Sequence, residues 1–260
     1  MSSEDAGLCV GIDIGSRNVR IAVMANNWPM VLRHNDGHRS MPNCVAFVGA
    51  KRFVGTDGEH YADLDPVNAV ETSKQFLFRA FDDSFEERLK CPTKFVDHRG
   101  RCAYRLMEGL VTEKSVHPEQ VLIELLAQTL DFANRQLSDD ISRAVITVPA
   151  FYSDKQRRAV QMAAKIAGIE SVTLLNETSA TAISYAFNVS STDLWRVLVV
   201  DFGARNFQAS LVEYENQEIL IRCHVQESIG GEDFTDALVA YTAIEISKQF
   251  DRNVFDGELN

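Results

Sequence analysis

Two short stretches of this chain carry the same set of chemically capable residues. Residues 11–23 read GIDIGSRNVRIAV and residues 199–211 read VVDFGARNFQASL. An aspartate, a glycine, an arginine and an asparagine fall in register as Asp13/Asp201, Gly15/Gly203, Arg17/Arg205 and Asn18/Asn206, 188 positions apart. Glycine lets a turn adopt unusual dihedrals and brings backbone N–H groups close to a ligand. Successive N–H groups in such a turn form an anion-binding nest. An aspartate at a strand end can hold Mg²⁺ through water beside phosphates. The set therefore points to the grip of a phosphate chain and its counter-ion, with two hairpins clamping a triphosphate between two lobes. One copy alone is as well explained by an ordinary polar turn; its recurrence in register tips the balance.

Each copy needs strands to carry it. Residues 8–14 and 19–25 read as two strands of a hairpin, and 196–202 with a strand running through Tyr214 read as another. Between them, strand candidates stand at Cys44–Val48 and 52–54, with turn signals at Asn35-Asp36-Gly37, Pro42-Asn43 and Asp57-Gly58. Residues 82–101, rich in charge and holding Pro92 and Gly100, read as a surface excursion. Pro118 suits the first turn of a helix whose apolar face is Leu122, Leu125, Leu126, Phe132 and Ala133, interrupted by Thr129. Arg143–Val148 is a buried-strand candidate stopped by Pro149. Ser153 and Gln156 form a capping box that opens a helix to Ala167, with Gly168 at its C′ position. A short strand at 172–175 and an Ala-rich helix at 177–187 follow. Strands alternating with helices argue for an α/β fold.

Composition narrows the partners. A net charge of −11 repels phosphate backbones over most of the surface, which argues against nucleic acid and requires a local site for any anionic ligand. Five cysteines, odd in number, widely spaced and without a CxxC pair, read as free thiols in a reducing, cytosolic or nuclear setting. No run approaches the length of a membrane span, and the acidic first residues lack a signal-peptide pattern. Cys91, His98 and Cys102 share a stretch, but their spacing fits no standard zinc pattern. Arg157 and Arg158 read as a solvated helix face, and Lys74 and Glu177, taken singly, as solvated charges.

At the repeated hairpins the chain resembles the actin-like ATPase superfamily, and within it the seventy-kilodalton heat-shock (DnaK-type) chaperones. Residues 145–169 (VITVPAFYSDKQRRAVQMAAKIAGI), 174–187 (LLNETSATAISYAF) and 229–234 (IGGEDF) are similar to further signatures of that family, in the same order. The resemblance implies an actin-like α/β ATPase fold of two lobes. It places the first lobe at 7–189, with an inserted subdomain at about 43–117, and an incomplete second lobe at 190–260. It implies the ATP-binding domain of a chaperone, with ATP or ADP and Mg²⁺ as cofactors and with unfolded clients and co-chaperones as partners. Residue by residue, Asp13 and Asp201 match the aspartates that organise Mg²⁺ and water. Lys74 matches the lysine that positions the attacking water and the γ-phosphate, and Glu177 the glutamate near the metal-bound water. Gly15, Ser16 and Arg17, then Gly203, Ala204, Arg205 and Asn206, occupy the phosphate loops, and Gly230 and Gly231 match backbone phosphate contacts.

The loops depart from the family pattern. Ser16 and Arg17 stand where it has two threonines. Ala204, Arg205, Asn206 and Gln208 stand where it has consecutive glycines, a threonine and an aspartate, and Thr178 replaces a proline after Glu177. Either Arg17 and Arg205 pair with phosphate, or they pair with Asp13 and Asp201 and fill the site. Ala204 resists any positive φ that glycine accepts. The expectation is weakened hydrolysis. Asn176, Glu177 and Thr178, with FRAFDD at 78–83, lean towards the hundred-and-ten-kilodalton branch, whose members act as nucleotide-exchange partners. A non-hydrolysing regulatory relative and an actin-like filament protein are the rival expectations.

Overall fold

The computed structural model describes residues 8–34, 37–71, 73–81, 93–108, 112–189, 194–215 and 218–250. The turn signal at Asn35 and Asp36 and the greater part of the 82–101 excursion, Cys91 included, lie outside these residues. The chain divides into two compact units, one up to Ala180 and one from Thr181 onwards.

The first unit is built on a six-stranded sheet. Strand β1 (Cys9–Ile14) pairs antiparallel with β2 (Asn18–Ala25), and β2 with β3 (Trp28–Val31) and the short β4 (Met41–Pro42). On its other side β1 runs parallel to β11 (Arg143–Val148), which runs parallel to β12 (Ser171–Asn176). Alternation places Val10, Ile12 and Ile14 of β1, and Val19, Ile21 and Val23 of β2, in the core. Helix α2 (Pro118–Leu137) and helix α3 (Asp154–Ile166) pack on each other. The expected face of α2 is buried, and Val121 and Leu130 extend it. Thr129 is buried there because its hydroxyl donates to the Leu125 carbonyl at 2.7 Å. The Ser153–Gln156 capping box is formed. After α3, Gly168 takes φ +107° and Ile169 N–H closes on the Ala164 carbonyl at 2.9 Å, the left-handed exit that glycine permits.

Two smaller sheets join this unit. Strand β5 (Cys44–Val48) lies between β6 (Lys51–Val54) and β7 (Ala69–Glu71), and β9 (Arg101–Glu108) lies between β8 (Lys94–His98) and β10 (Thr112–Val116). One expectation is corrected here. Asp57-Gly58 is not a turn: it lies inside helix α1 (Thr56–Leu64). At Gly58 that helix approaches β5 and β6 so closely that a Cβ would meet the Cys44 and Phe53 carbonyl oxygens at 2.8 Å. The described end of the charged excursion is a strand hairpin whose turn, Arg99 and Gly100, has positive φ at both residues.

The second unit holds helix α4 from Thr181 on (the whole helix is Glu177–Val189) and a three-stranded antiparallel sheet. Its strands are β13 (Trp195–Phe202), β14 (Phe207–Glu215) and β15 (Glu218–Glu227), followed by helix α5 (Gly231–Phe250). Its core is small: Ala182, Val199 and Val212, with Trp195, Val197 and Ile219 against them. Leu198, Leu238 and Tyr241 are more than 60% exposed, so much of this unit's apolar surface is uncovered.

Candidate functional site: two phosphate-type turns and a buried ion pair

The sequence repeat is a structural repeat. In the first hairpin the Gly15 N–H donates to the Asn18 carbonyl at 2.8 Å, and in the second the Gly203 N–H donates to the Asn206 carbonyl at 2.9 Å. Across the strands Asp13 faces Arg20, and Asp201 faces Gln208. The turns do not use the conformational freedom expected of their glycines: neither Gly15 nor Gly203 has positive φ, and neither does Ala204. Gly15 is required for space instead, since a Cβ there would stand 2.8 Å from the Asn18 carbonyl oxygen. By the same measure Gly203 leaves room, at 3.4 Å.

The first turn is braced by Asn43, the residue between β4 and β5. The Asn43 side-chain amide donates to the Gly15 carbonyl at 2.8 Å, and its backbone N–H to the Arg17 carbonyl at 2.9 Å. With those carbonyls held, the N–H groups of Ser16 and Arg17 have no acceptor among the described residues. Two unsatisfied donors in succession suit an anion. Asn43 carried no recognisable signal in the sequence beyond its place in a turn.

The second turn is braced from the start of α5. Gly231 N–H donates to the Gly203 carbonyl at 3.0 Å and Glu232 N–H to the Ala204 carbonyl at 2.8 Å. Gly230 lies so close that a Cβ would stand 2.3 Å from the Ala204 oxygen. Its own N–H is taken by the Asp233 carboxylate at 2.7 Å. The backbone donors of Gly230 and Gly231 are thus spent within the unit.

Neither arginine of the repeat pairs with its turn's aspartate. Arg17 pairs with Glu71 at 3.4 Å, and Arg205 pairs with Glu232. Asp13 is engaged by others: Thr147 donates its hydroxyl to one carboxylate oxygen at 2.8 Å and Arg20 approaches the second at 3.3 Å. Asp201 receives the Gln208 amide at 3.4 Å.

Lys74 and Glu177, 103 residues apart, are brought together. Lys74 lies in a 3-10 turn (Ser73–Phe76) and Glu177 opens α4; their side chains form an ion pair and are 8% and 12% exposed. They are not the solvated charges that single residues suggest. Tyr152, buried beside them, donates its hydroxyl to the Lys74 carbonyl at 2.5 Å. Burial, reinforced by the Glu177 charge, holds that phenol protonated well above its ordinary range. Arg157 is not a solvated residue either. Its guanidinium donates to the Tyr152 carbonyl at 3.1 Å, the Ala150 carbonyl at 3.1 Å and the Asn176 side chain at 2.8 Å. It ties the segment after β11 to Asn176, the last residue of β12 and the one that precedes Glu177.

The residues present fit the phosphates of a nucleotide better than they fit its metal. The open N–H groups of the first turn and the guanidinium groups around it are anion donors. The carboxylates expected to organise Mg²⁺ are already partnered, Asp13 on both oxygens. No group of three or more His, Cys, Asp or Glu side chains suited to a metal occurs among the described residues.

A duplicated strand–turn–strand hairpin in a mixed α/β chain, with a buried Lys–Glu pair in its first unit, defines the class: an actin-like ATPase fold. The Hsp70 protein family matches residues 9–256. A chaperone protein dnaK from Cyanophora paradoxa is 32% identical over 244 residues, which is 93% of this chain and 38% of that protein. The chain belongs to the Hsp70 family. It spans 38% of the length of that curated relative. Among the described residues no helix is long and apolar enough to cross a membrane.

Proposed function

We propose that this chain is an ATP- and ADP-binding chaperone domain whose hydrolysis is weakened. The observation that carries the reading is the turn of the first hairpin, where Asn43 fixes two carbonyls and leaves the Ser16 and Arg17 N–H groups open. Those groups and the Arg17 guanidinium are the phosphate contacts of the first turn. In the second turn the roles fall to Ala204, Arg205 and Asn206 around Gly203, with Gly230 and Gly231 holding the loop in shape. ATP, when bound, supplies a phosphoryl group for transfer to water. Such transfer needs positioning and charge neutralisation more than covalent help. Lys74 and Glu177 are the groups that position the water. Held against each other under low exposure, they are poor at releasing a charge to a substrate, and the loop hydroxyls that the family pattern supplies are replaced. In this reading the nucleotide state of the domain is coupled to the handling of unfolded proteins and co-chaperones. A cytosolic setting accords with the free thiols of Cys9, Cys44, Cys102 and Cys223.

The test is steady-state phosphate release beside equilibrium nucleotide binding. The expected outcome is binding of ATP and ADP with a release rate far below that of the dnaK relative. An equal rate overturns weakened hydrolysis, and absence of binding overturns the whole reading.

A further inference from the structure

We propose that Arg20 takes the place of the divalent cation at the first turn, so that this chain binds the phosphates of an adenine nucleotide without requiring Mg²⁺. The proposal rests on the nucleotide-binding reading above. Mg²⁺ gives up its water reluctantly and is held in nucleotide sites by one or two carboxylates together with the phosphates. At the first turn the carboxylate available for this is Asp13. One of its oxygens accepts from Thr147 at 2.8 Å and the other from Arg20 Nη1 at 3.3 Å. The second contact is built into the fold, because Arg20 is the residue directly opposite Asp13 in the β1–β2 register.

The equivalent position of the second hairpin shows what is special here. Gln208 stands opposite Asp201, is neutral and is 1% exposed. The Arg20 side chain carries a full charge and is 50% exposed, so it can turn part of its surface to a ligand. A guanidinium has five N–H donors, and the contact with Asp13 leaves most of them unused. Planar donors match phosphate oxygens two at a time. Arg20 thus cancels the charge that would recruit a divalent cation and presents donors to the phosphates that the cation would otherwise screen.

The experiment is calorimetric titration of the chain with ADP, once with Mg²⁺ and once with EDTA, on the parent protein, Arg20→Gln and Arg20→Lys. The glutamine variant copies the second hairpin. For the parent and Arg20→Lys, chelation is expected to change the dissociation constant by less than about threefold, and for Arg20→Gln it is expected to weaken binding about tenfold or more. A parent protein that loses about tenfold or more on chelation overturns the proposal, as does an Arg20→Gln variant that folds and stays indifferent to the metal. Metal-dependent binding sinks this proposal alone. Absence of ADP binding in every arm sinks the nucleotide reading and this proposal with it.

Discussion

The two hairpins share a local design and differ in what surrounds it. Both close the turn with a glycine N–H on an asparagine carbonyl, and both set an aspartate opposite a polar residue on the returning strand. In the first, β1 is paired on both sides, and the neighbouring strand supplies Thr147 to Asp13 while Asn43, between β4 and β5, braces the turn. In the second, β13 pairs with β14 alone among the described residues, and the turn is held by the backbone at the start of α5. One sequence motif thus specifies the turn and leaves the same two N–H groups without an acceptor among the described residues in each copy, Ser16 with Arg17 and Ala204 with Arg205, while tertiary contacts decide what braces it. The same contrast appears among the charges. The first unit buries a Lys–Glu pair, whereas the second seats a buried Glu213 between Arg196 and Arg222, both half exposed or more.

These differences can be broken one at a time. The largest expected effect is at the buried pair. Lys74→Met removes the buried cation paired with Glu177 and should cost about 3–5 kcal/mol of stability in denaturant unfolding, with much of that recovered by also making Glu177→Leu. Next is the brace of the second turn. Gly230→Ala drives a Cβ against the Ala204 backbone, 2.3 Å from its oxygen, and should cost about 3 kcal/mol or more because backbone cannot step aside as a side chain can. Third, the two turn glycines should respond unequally. Gly15→Ala meets a carbonyl at 2.8 Å and should cost about 1–3 kcal/mol. Gly203→Ala, whose Cβ would stand 3.4 Å from the Asn206 carbonyl oxygen with no positive φ, should change stability by less than about 1 kcal/mol in either direction. Equal costs would mean that the turns are not distinguished by space.

The smallest effect is acid-dependent. Hydrogen bonds from Arg222, then Arg196, hold the Glu213 carboxyl down to about 2 against an ordinary 4.5. A folded value below the unfolded one means that the unfolded chain binds the proton more readily. The contribution of Glu213 is therefore complete above pH 4.5 and is lost as the pH falls towards 2. Glu213→Gln should flatten the loss of stability over that window, measured by unfolding at stepped pH. An unchanged acid profile would mean that the two arginines do not hold the carboxylate in solution.

The elements most legible in the sequence were those whose signals are local. The repeat gave the hairpins and their register, Pro118 marked the start of α2, and Ser153 with Gln156 marked that of α3. What escaped depended on distant partners. Gly58 reads as a turn until β5 and β6 are seen to lie against the helix that contains it. Arg157 reads as solvated because the carbonyls and the Asn176 side chain that accept from it are assembled only when β11 and β12 pair. The roles of Arg17 and Arg205 were left between two partners by the sequence, and the fold offers a third to each, Glu71 and Glu232. Neither the repeat nor the family pattern singles out Arg20; only the register with Asp13 does.

The central claim is that this chain still holds an adenine nucleotide despite the altered residues of its turns. Thermal unfolding with and without excess ATP or ADP tests it most directly, with Mg²⁺ present throughout. At a hundredfold excess over the dissociation constant, bound nucleotide should stabilise the fold by about 2.7 kcal/mol, which raises the midpoint by about 5–10 °C for a chain of this size. A midpoint that does not move at millimolar nucleotide would contradict the account.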